Sequence, residues 1–172
     1  MGKKTLERID STRVLELFPP FPIVLVTTRS NIITVNQVEY FTFTPVRIGI
    51  GIAHRRYTYS LLKREGEFVI NVPDASLIRA VKMCGEVSGR KGSKAELAGL
   101  SVEPSCEVGA VSIGQCRANI ECRVERIIDF EERSWFVGRV VAARRDSAYD
   151  AESALLCGRH AYRVPGEIVA DR

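Results

Sequence analysis

The alternation over Cys116–Val124 constrains the fold more than any other segment. Cys116, Ala118, Ile120, Cys122 and Val124 take every second position, and Arg117, Asn119, Glu121 and Arg123 take the others. A period of two is that of a β-strand with one face on a core and the other in water. Cys116 and Cys122, six apart, then share a face and pack as small apolar residues. Glu131-Glu-Arg-Ser134 reads as a hairpin turn, and Trp135–Ala143 as the returning strand. One hairpin cannot stand alone in water, so other strands must cover its apolar face.

They are found upstream. The prolines of Leu17-Phe-Pro-Pro-Phe-Pro22 prevent helix and fix the entry into a β-branched strand, Ile23–Thr28. Arg29-Ser30 turns that strand into a second, Asn31–Gln37. Val46–Ile52 is a third, with Gly49 and Gly51 on one face, where another backbone or a ligand can approach closely. Tyr57–Arg64 reads as a short helix with Leu61 and Leu62 inward and Gly66 closing it. Glu67–Val72 is a fourth strand. Asp74 caps a helix carrying Leu77, Ile78, Val81 and Cys84 at helical spacing, with Gly85 at its end. Ser93-Lys-Ala-Glu96 is a capping box for one more short helix, ended by Gly99. The segment Gly85–Gly109, rich in Gly, Ser and charge, is the candidate mobile loop. Ala161–Val164 can add a last strand. Antiparallel strands with short inserted helices predict an α+β chain, mainly β, built on a closed or nearly closed barrel.

Composition bounds the rest. A chain of 172 residues is one domain by default, here spanning 1–172, and buries roughly 68–70 % of its unfolded surface. It is 45 % hydrophobic and 27 % charged, ordinary for a globular protein. No apolar run approaches the ~18–20 residues of a membrane span. The start, Met1-Gly-Lys-Lys-Thr-Leu-Glu-Arg8, has no apolar signal core, so a cytoplasmic location is expected. The five cysteines include no Cys-x-x-Cys pair, which leaves reduced thiols as the expectation. The net charge of +4 suits an anionic ligand without arguing for nucleic acid, whose binders more often show a basic stripe with interleaved aromatics.

Three segments carry candidate chemistry. His54-Arg-Arg-Tyr-Thr58 leaves a strand and opens a helix, where unpaired amides and partial positive charge suit a phosphate. Thr58 can add a hydroxyl, and Arg56 paired hydrogen bonds. Taken alone it reads rather as a helix cap with solvated arginines. Asn31-x-x-Thr34-x-Asn36-Gln37 places short polar donors near a strand end, or is an ordinary edge strand and turn. Ser88-Gly-Arg-Lys-Gly-Ser-Lys94 can wrap an anion, or be a solvated loop; it lacks the spacing of a phosphate-binding P-loop. The two histidines, His54 and His160, sit in no ligand-like cluster, so no metal site is expected. Gly-x-Ser-x-Gly and the dinucleotide fingerprint are both absent.

In their joint order these segments resemble the flavin reductase-like family, which includes flavoredoxins and ferric reductases. The similarity runs from about Phe21 to Tyr162. It takes in Phe21-Pro-Ile-Val-Leu-Val-Thr-Thr28, Asn31-x-x-Thr34-x-Asn36, Arg56-Tyr-Thr-Tyr59 and Glu67-Phe-Val-Ile-Asn-Val-Pro73. Lys94 before Leu97-Ala-Gly-Leu100, the paired strands Ala118–Val124 and Phe136–Val140, and Leu155-Leu-Cys-Gly-Arg-His-Ala-Tyr162 complete it.

The resemblance implies a six-stranded FMN-binding split β-barrel, a homodimer, with FMN near the subunit interface. It implies Asn31, Thr34 and Thr58 as flavin or phosphate ligands, Lys94 reaching the phosphate or the ring edge, and Tyr162 near the ring. Asn36, Gln37, Arg56, Ser88 and Arg133 complete the expected cofactor-binding set. Two positions depart from the family pattern: Gln37 stands where many members have an aromatic residue, and Arg133 where many have a histidine.

The expected activity is an FMN-dependent oxidoreductase taking hydride from NADH or NADPH, with free flavin, ferric iron or a protein as acceptor. FAD is the less favoured flavin. The flavin carries the chemistry, so no catalytic side chain is assigned. Two alternatives stand beside it: an FMN-binding electron carrier or store with no nicotinamide site, and a barrel-fold nucleic-acid module. Partners other than a second copy, flavin and nicotinamide nucleotide are not expected: neither nucleic acid nor membrane.

Overall fold

A computed structural model describes residue 6 and residues 8–166. Most of the N-terminal stretch Met1–Arg8, on which the absence of a leader was read, lies outside the described residues.

The chain opens with a 3-10 helix, Ser11–Leu17, capped by the Asp10 carboxylate on the Thr12 amide. The prolines that follow end it. Then come β1 (Phe21–Pro22), β2 (Val24–Thr27), β3 (Ile32–Val35), β4 (Val38–Phe43) and β5 (Val46–Ala53). Helix α1 (Tyr57–Glu65) ends at Gly66, whose φ of 67° is open to glycine without penalty. β6 (Glu67–Val72) leads to α2 (Ile78–Glu86) and α3 (Lys94–Ala98). β7 (Val102–Glu103) and β8 (Ser112–Ile113) form a small ladder. β9 (Ala118–Asp129) and β10 (Arg133–Arg145) make the long hairpin, and β11 (Leu156–Cys157) and β12 (Tyr162–Arg163) close the chain.

Seven strands form one sheet in the order β3-β2-β6-β9-β10-β5-β4. Every pairing within it is antiparallel. Consecutive strands β3 and β4 are its two edges, and the sheet curls around a first core of Val26, Ile33, Ile50, Leu62, Phe68 and Phe136, among others. This is the expected split barrel. A second core lies outside the barrel wall. There Leu25 and Ile32 meet Val81 and Cys84 of α2, with Leu100, Ile113 and Leu155. β2 therefore has both faces covered, which explains its unbroken apolar run.

Several boundaries differ from the sequence reading. β4 was passed over: its residues are mostly exposed, so it lacks the apolar alternation of a core strand. It supplies the seventh strand where six were expected. The hairpin strands are longer than read, and Arg133 and Ser134 belong to β10 rather than the turn. Helix α2 runs through Gly85 to Glu86. The candidate mobile loop, Gly85–Gly109, holds a 3-10 turn, α3 and β7.

The largest correction concerns the wet face of Cys116–Val124. Asn119 is 8 % exposed and Glu121 is fully buried. Both Glu121 carboxylate oxygens accept backbone amides, from Cys106 at 2.9 Å and Glu107 at 2.7 Å. Burial works against the Glu121 charge, but these amides, that of Val108 and the Arg144 charge outweigh it and hold the carboxyl below its ordinary value. Asn119 donates to Asn71 at 2.9 Å. Asn71 in turn donates to Leu25 O and accepts the Ile113 amide, tying β8 to the barrel. A covering segment, not water, satisfies these side chains. Cys116 and Cys122 also part company: Cys122 faces the first core and Cys116, which precedes β9, the second.

Candidate functional site

Three hollows follow one another along the open side of the barrel. The first, about 150 Å³, lies between the start of α1 and the end of α2. Asn31, Arg56, Thr58, Ser88 and Lys94 all line it. The second, also about 150 Å³, shares Ile33, Arg55 and Arg56 with the first and adds Thr34, Asn36, Gln37 and Arg133. The third is larger, about 590 Å³. It shares Asn36, Gln37 and Arg133 with the second and runs under the N-terminal 3-10 helix, between Phe18, Phe21 and Trp135. The shared residues make one continuous groove.

The first hollow is a cationic pocket held rigidly. Asn31, at the head of β3, is 4 % exposed and Thr58, in the first turn of α1, is 1 % exposed. The Asn31 amide nitrogen donates to the Thr58 hydroxyl at 2.7 Å. That leaves the Thr58 proton free to donate and the Asn31 Oδ1 buried without a partner. Gly89 packs against that Asn31 carboxamide so closely that a Cβ there would collide with Oδ1. Two cations complete the pocket. Lys94 Nζ donates to Cys84 O at 2.7 Å, and Arg56 Nη1 to Gly85 O at 3.2 Å. Both carbonyls belong to the last turn of α2, where unpaired C=O groups attract positive charge. Neither cation has a carboxylate within salt-bridge distance among the described residues. Burial pushes the Lys94 ammonium below its ordinary value; the Cys84 thiol opposes that shift and Arg56 adds to it. An anionic partner would favour the charged form of Lys94 and neutralise both cations.

The second hollow is lined differently. Thr34 spends its proton on Val81 O at 2.5 Å, so it faces the groove as an acceptor. Gln37 lies in the β3–β4 turn, and its Oε1 accepts from Arg133 Nη1 at 2.5 Å. Arg133 also pairs with Glu132 at 2.7 Å. Gly51 lets the Gln37 side chain lie flat on β5, since a Cβ there would strike Oε1. Ser88 caps the 3-10 turn Gly89–Lys91, accepting the Arg90 amide at 3.4 Å.

Nine of the ten candidate residues thus line one groove. Tyr162 does not: it packs at the edge of the second core, with Lys82 Nζ 5.8 Å from its ring centre. The sequence reading missed Arg55, Phe18, Trp135 and Arg159, which also line the groove. The Phe18-Pro-Pro-Phe21 spacing was the available signal: the two rings stack at 5.8 Å. No group of three or more metal-ligating side chains occurs among the described residues, and none of the described helices is long and apolar enough to cross a membrane.

The model of the flavin reductase like domain matches residues 19–165. The chain belongs to that family. An uncharacterized protein of Archaeoglobus fulgidus is 34 % identical to this flavin reductase-like chain over 145 residues, 83 % of this chain and 82 % of its own length. The crystal structure of a flavoredoxin from Methanosarcina acetivorans superposes with a TM-score of 0.88 at 25 % identity, covering 96 % of this chain and 95 % of the other. An FMN-binding protein from Thermus thermophilus, with bound 1-cyclohex-2-enone, shares the fold at a TM-score of 0.82 and 20 % identity, over the whole of both chains.

The residues present fit a flavin nucleotide. The first hollow offers to a phosphate two cations that have no carboxylate partner among the described residues, and a free hydroxyl. The orphaned Asn31 Oδ1 can accept from a ribityl hydroxyl, and the Gln37–Arg133 pair presents amide and guanidinium donors farther along.

Proposed function

We propose that this groove binds FMN and that the chain is a flavin-dependent oxidoreductase using NADH or NADPH. The phosphate sits with Arg56, Thr58, Ser88 and Lys94. The ring lies toward Thr34, Asn36, Gln37 and Arg133. The observation that carries this reading is the pair of cations without carboxylate partners, set beside a buried unpartnered amide oxygen in a continuous groove. Family membership and the flavoredoxin and FMN-binding neighbours support it. The first hollow, of about 150 Å³, has room for a phosphate; FMN is the favoured flavin.

When bound, the flavin supplies hydride acceptance and onward electron transfer. The protein's part is orientation. Lys94 and Arg56 would hold the phosphate, and Arg133 would present positive charge to the ring end of the groove, favouring an electron-rich reduced flavin. The larger third hollow, with Phe18, Phe21 and Trp135, is the space for the nicotinamide or the acceptor. A homodimer is part of the proposal: Tyr40, Phe41 and Phe43 of β4 and Val46 of β5 are each exposed at this edge of the sheet, apolar surface that a second copy would cover. A cytoplasmic location fits a nicotinamide-linked reductase.

Fluorescence-quenching titration with FMN should saturate near one per chain at micromolar concentrations or below. No binding at tens of micromolar removes the proposal. Sedimentation of the FMN-bound protein as a monomer removes the dimer.

One observation favours a second reading, an electron carrier without a nicotinamide site. Arg133 is already held by Gln37 and Glu132, so it is not free to pair with a nucleotide phosphate. FMN binding without NADH or NADPH oxidation would select this reading.

A further inference from the structure

A second polar hollow lies at the far end of the hairpin from the groove. β10 carries Arg133 at one end and Arg145 at the other. Twelve residues at about 3.3 Å each separate them by roughly 40 Å of strand. This hollow has a volume of about 360 Å³, within the range of roughly 300–1,000 Å³ usual for small-ligand sites. Three arginines line it: Arg117, Arg144 and Arg145. Gln115, Asn119, Glu103 and Asp146 supply amides and carboxylates.

The arginines are not equally engaged. Arg117 pairs with Asp146 at 3.5 Å. Arg145 has no carboxylate partner among the described residues. Arg144 sits opposite Asn119 across the ladder, and its Nε is buried without a hydrogen-bond partner. Its nearby carboxylate, Glu121, is already taken by the amides of Cys106 and Glu107. A buried guanidinium nitrogen left unpaired is costly, and the fork geometry of arginine matches an oxyanion. The rest of the lining is chosen differently. Carboxylates at the rim would repel a bare anion, but they accept hydroxyls well, as does the side-chain oxygen of Asn119; the Gln115 oxygen is already taken by the amide and hydroxyl of Ser101.

We propose that this hollow binds a hydroxylated phosphate ester, with the phosphate on Arg144 and Arg145 and the hydroxyls toward Glu103, Asp146 and the Asn119 amide. The site is separate from the cofactor groove and does not rest on flavin binding.

Backbone amide shifts in NMR locate the site directly. Ribose 5-phosphate, inorganic phosphate and ribose are titrated in turn into the full chain at fixed ionic strength. Ribose 5-phosphate should move the amides of Gln115, Asn119 and Arg145 saturably, and bind at least tenfold more tightly than inorganic phosphate. Ribose should not bind. Arg145 is exposed, so Arg145→Ala should fold normally and lose about tenfold or more in affinity, as expected for a charge-assisted contact. Arg144→Gln should lose as much, while Arg56→Ala in the other groove should leave these shifts intact. Shifts confined to groove residues such as Ser88 and Lys94 would overturn the proposal. So would equal binding of inorganic phosphate, or an unchanged affinity in Arg145→Ala.

Discussion

The two ends of the cofactor groove are built on the same plan with different materials. At each end a carboxamide lies against a glycine and contacts one partner side chain. At the phosphate end it is Asn31 on Gly89, bonded to Thr58. At the ring end it is Gln37 on Gly51, bonded to Arg133. Asn31 and Thr58 are buried and anchored by a strand and a helix, and the cations beside them are held by α2 carbonyls. Gln37 and Arg133 are long, half-buried side chains on a turn and a strand end. The first end is preorganised by a strand, a helix and backbone carbonyls; the second is held by side-chain contacts alone, Arg133 to Gln37 and to Glu132. Affinity should therefore reside at the first and selectivity at the second.

The sharpest way to break this contrast is to remove the cations. Arg56→Ala or Lys94→Met should weaken FMN by about 10- to 100-fold, the worth of a charge-assisted hydrogen bond of roughly 1.5–3 kcal/mol. Riboflavin, which lacks the phosphate, should change little. Equal losses for the two ligands would move the phosphate elsewhere.

Next in size is Thr58→Val. It removes the hydroxyl and leaves the Asn31 amide nitrogen buried without its acceptor, so the apo protein should lose about 1–3 kcal/mol of stability as well as FMN affinity. Urea denaturation of the apo protein reads this directly. A variant as stable as the parent would mean that the Asn31–Thr58 bond does not order the pocket.

The paired glycines test the same point by insertion. Gly89→Ala drives a methyl onto a buried, bonded Asn31 that has nowhere to go. Gly51→Ala meets the Gln37 Oε1, which can swing away, and the Gln37 Cβ at 2.9 Å, which requires a small shift of the β3–β4 turn. Gly89→Ala should therefore cost more FMN affinity than Gly51→Ala, by calorimetry of both. The reverse order would invert the comparison.

Lys94 adds a pH test. Burial lowers its pKa from the ordinary 10.5, and a phosphate dianion favours its charged form. Below the lowered value the charge is present and FMN binds fully. As pH rises through that value, charge and affinity fall together, beginning at lower pH than for an exposed lysine. Lys94→Arg stays charged and should flatten the profile.

The smallest effect on FMN belongs to Arg133→Ala. A half-buried guanidinium that is already paired and open to solvent contributes about 0–1 kcal/mol, so FMN affinity should change only a few-fold. Its signature is selectivity: the KM for NADPH should rise more than that for NADH. Unchanged constants for both leave Arg133 a surface residue and favour the carrier reading.

Much of this architecture is set by local pattern. The apolar, mostly β-branched run at Ile23–Val26, the Gly66 cap and the capping box at Ser93–Glu96 are short-range signals, and short-range physics reads them correctly. Asn31, Arg56, Thr58 and Lys94 could be named because polar residues at strand ends and helix starts are a sequence-visible pattern. Their convergence was not visible, because Asn31 and Thr58 are joined by a contact 27 positions apart. The tertiary structure alone decided which polar residues stay dry. Asn119 and Glu121 occupy the solvent phase of a two-residue alternation, yet the Cys106–Val108 segment folds over them and supplies its amides. The same holds for β4, exposed along most of its length yet hydrogen-bonded to β5. Alternation reports only the burial that a strand's own sheet imposes. Covering loops and unpartnered edges depend on contacts distant in sequence, and those exist only once the barrel has closed.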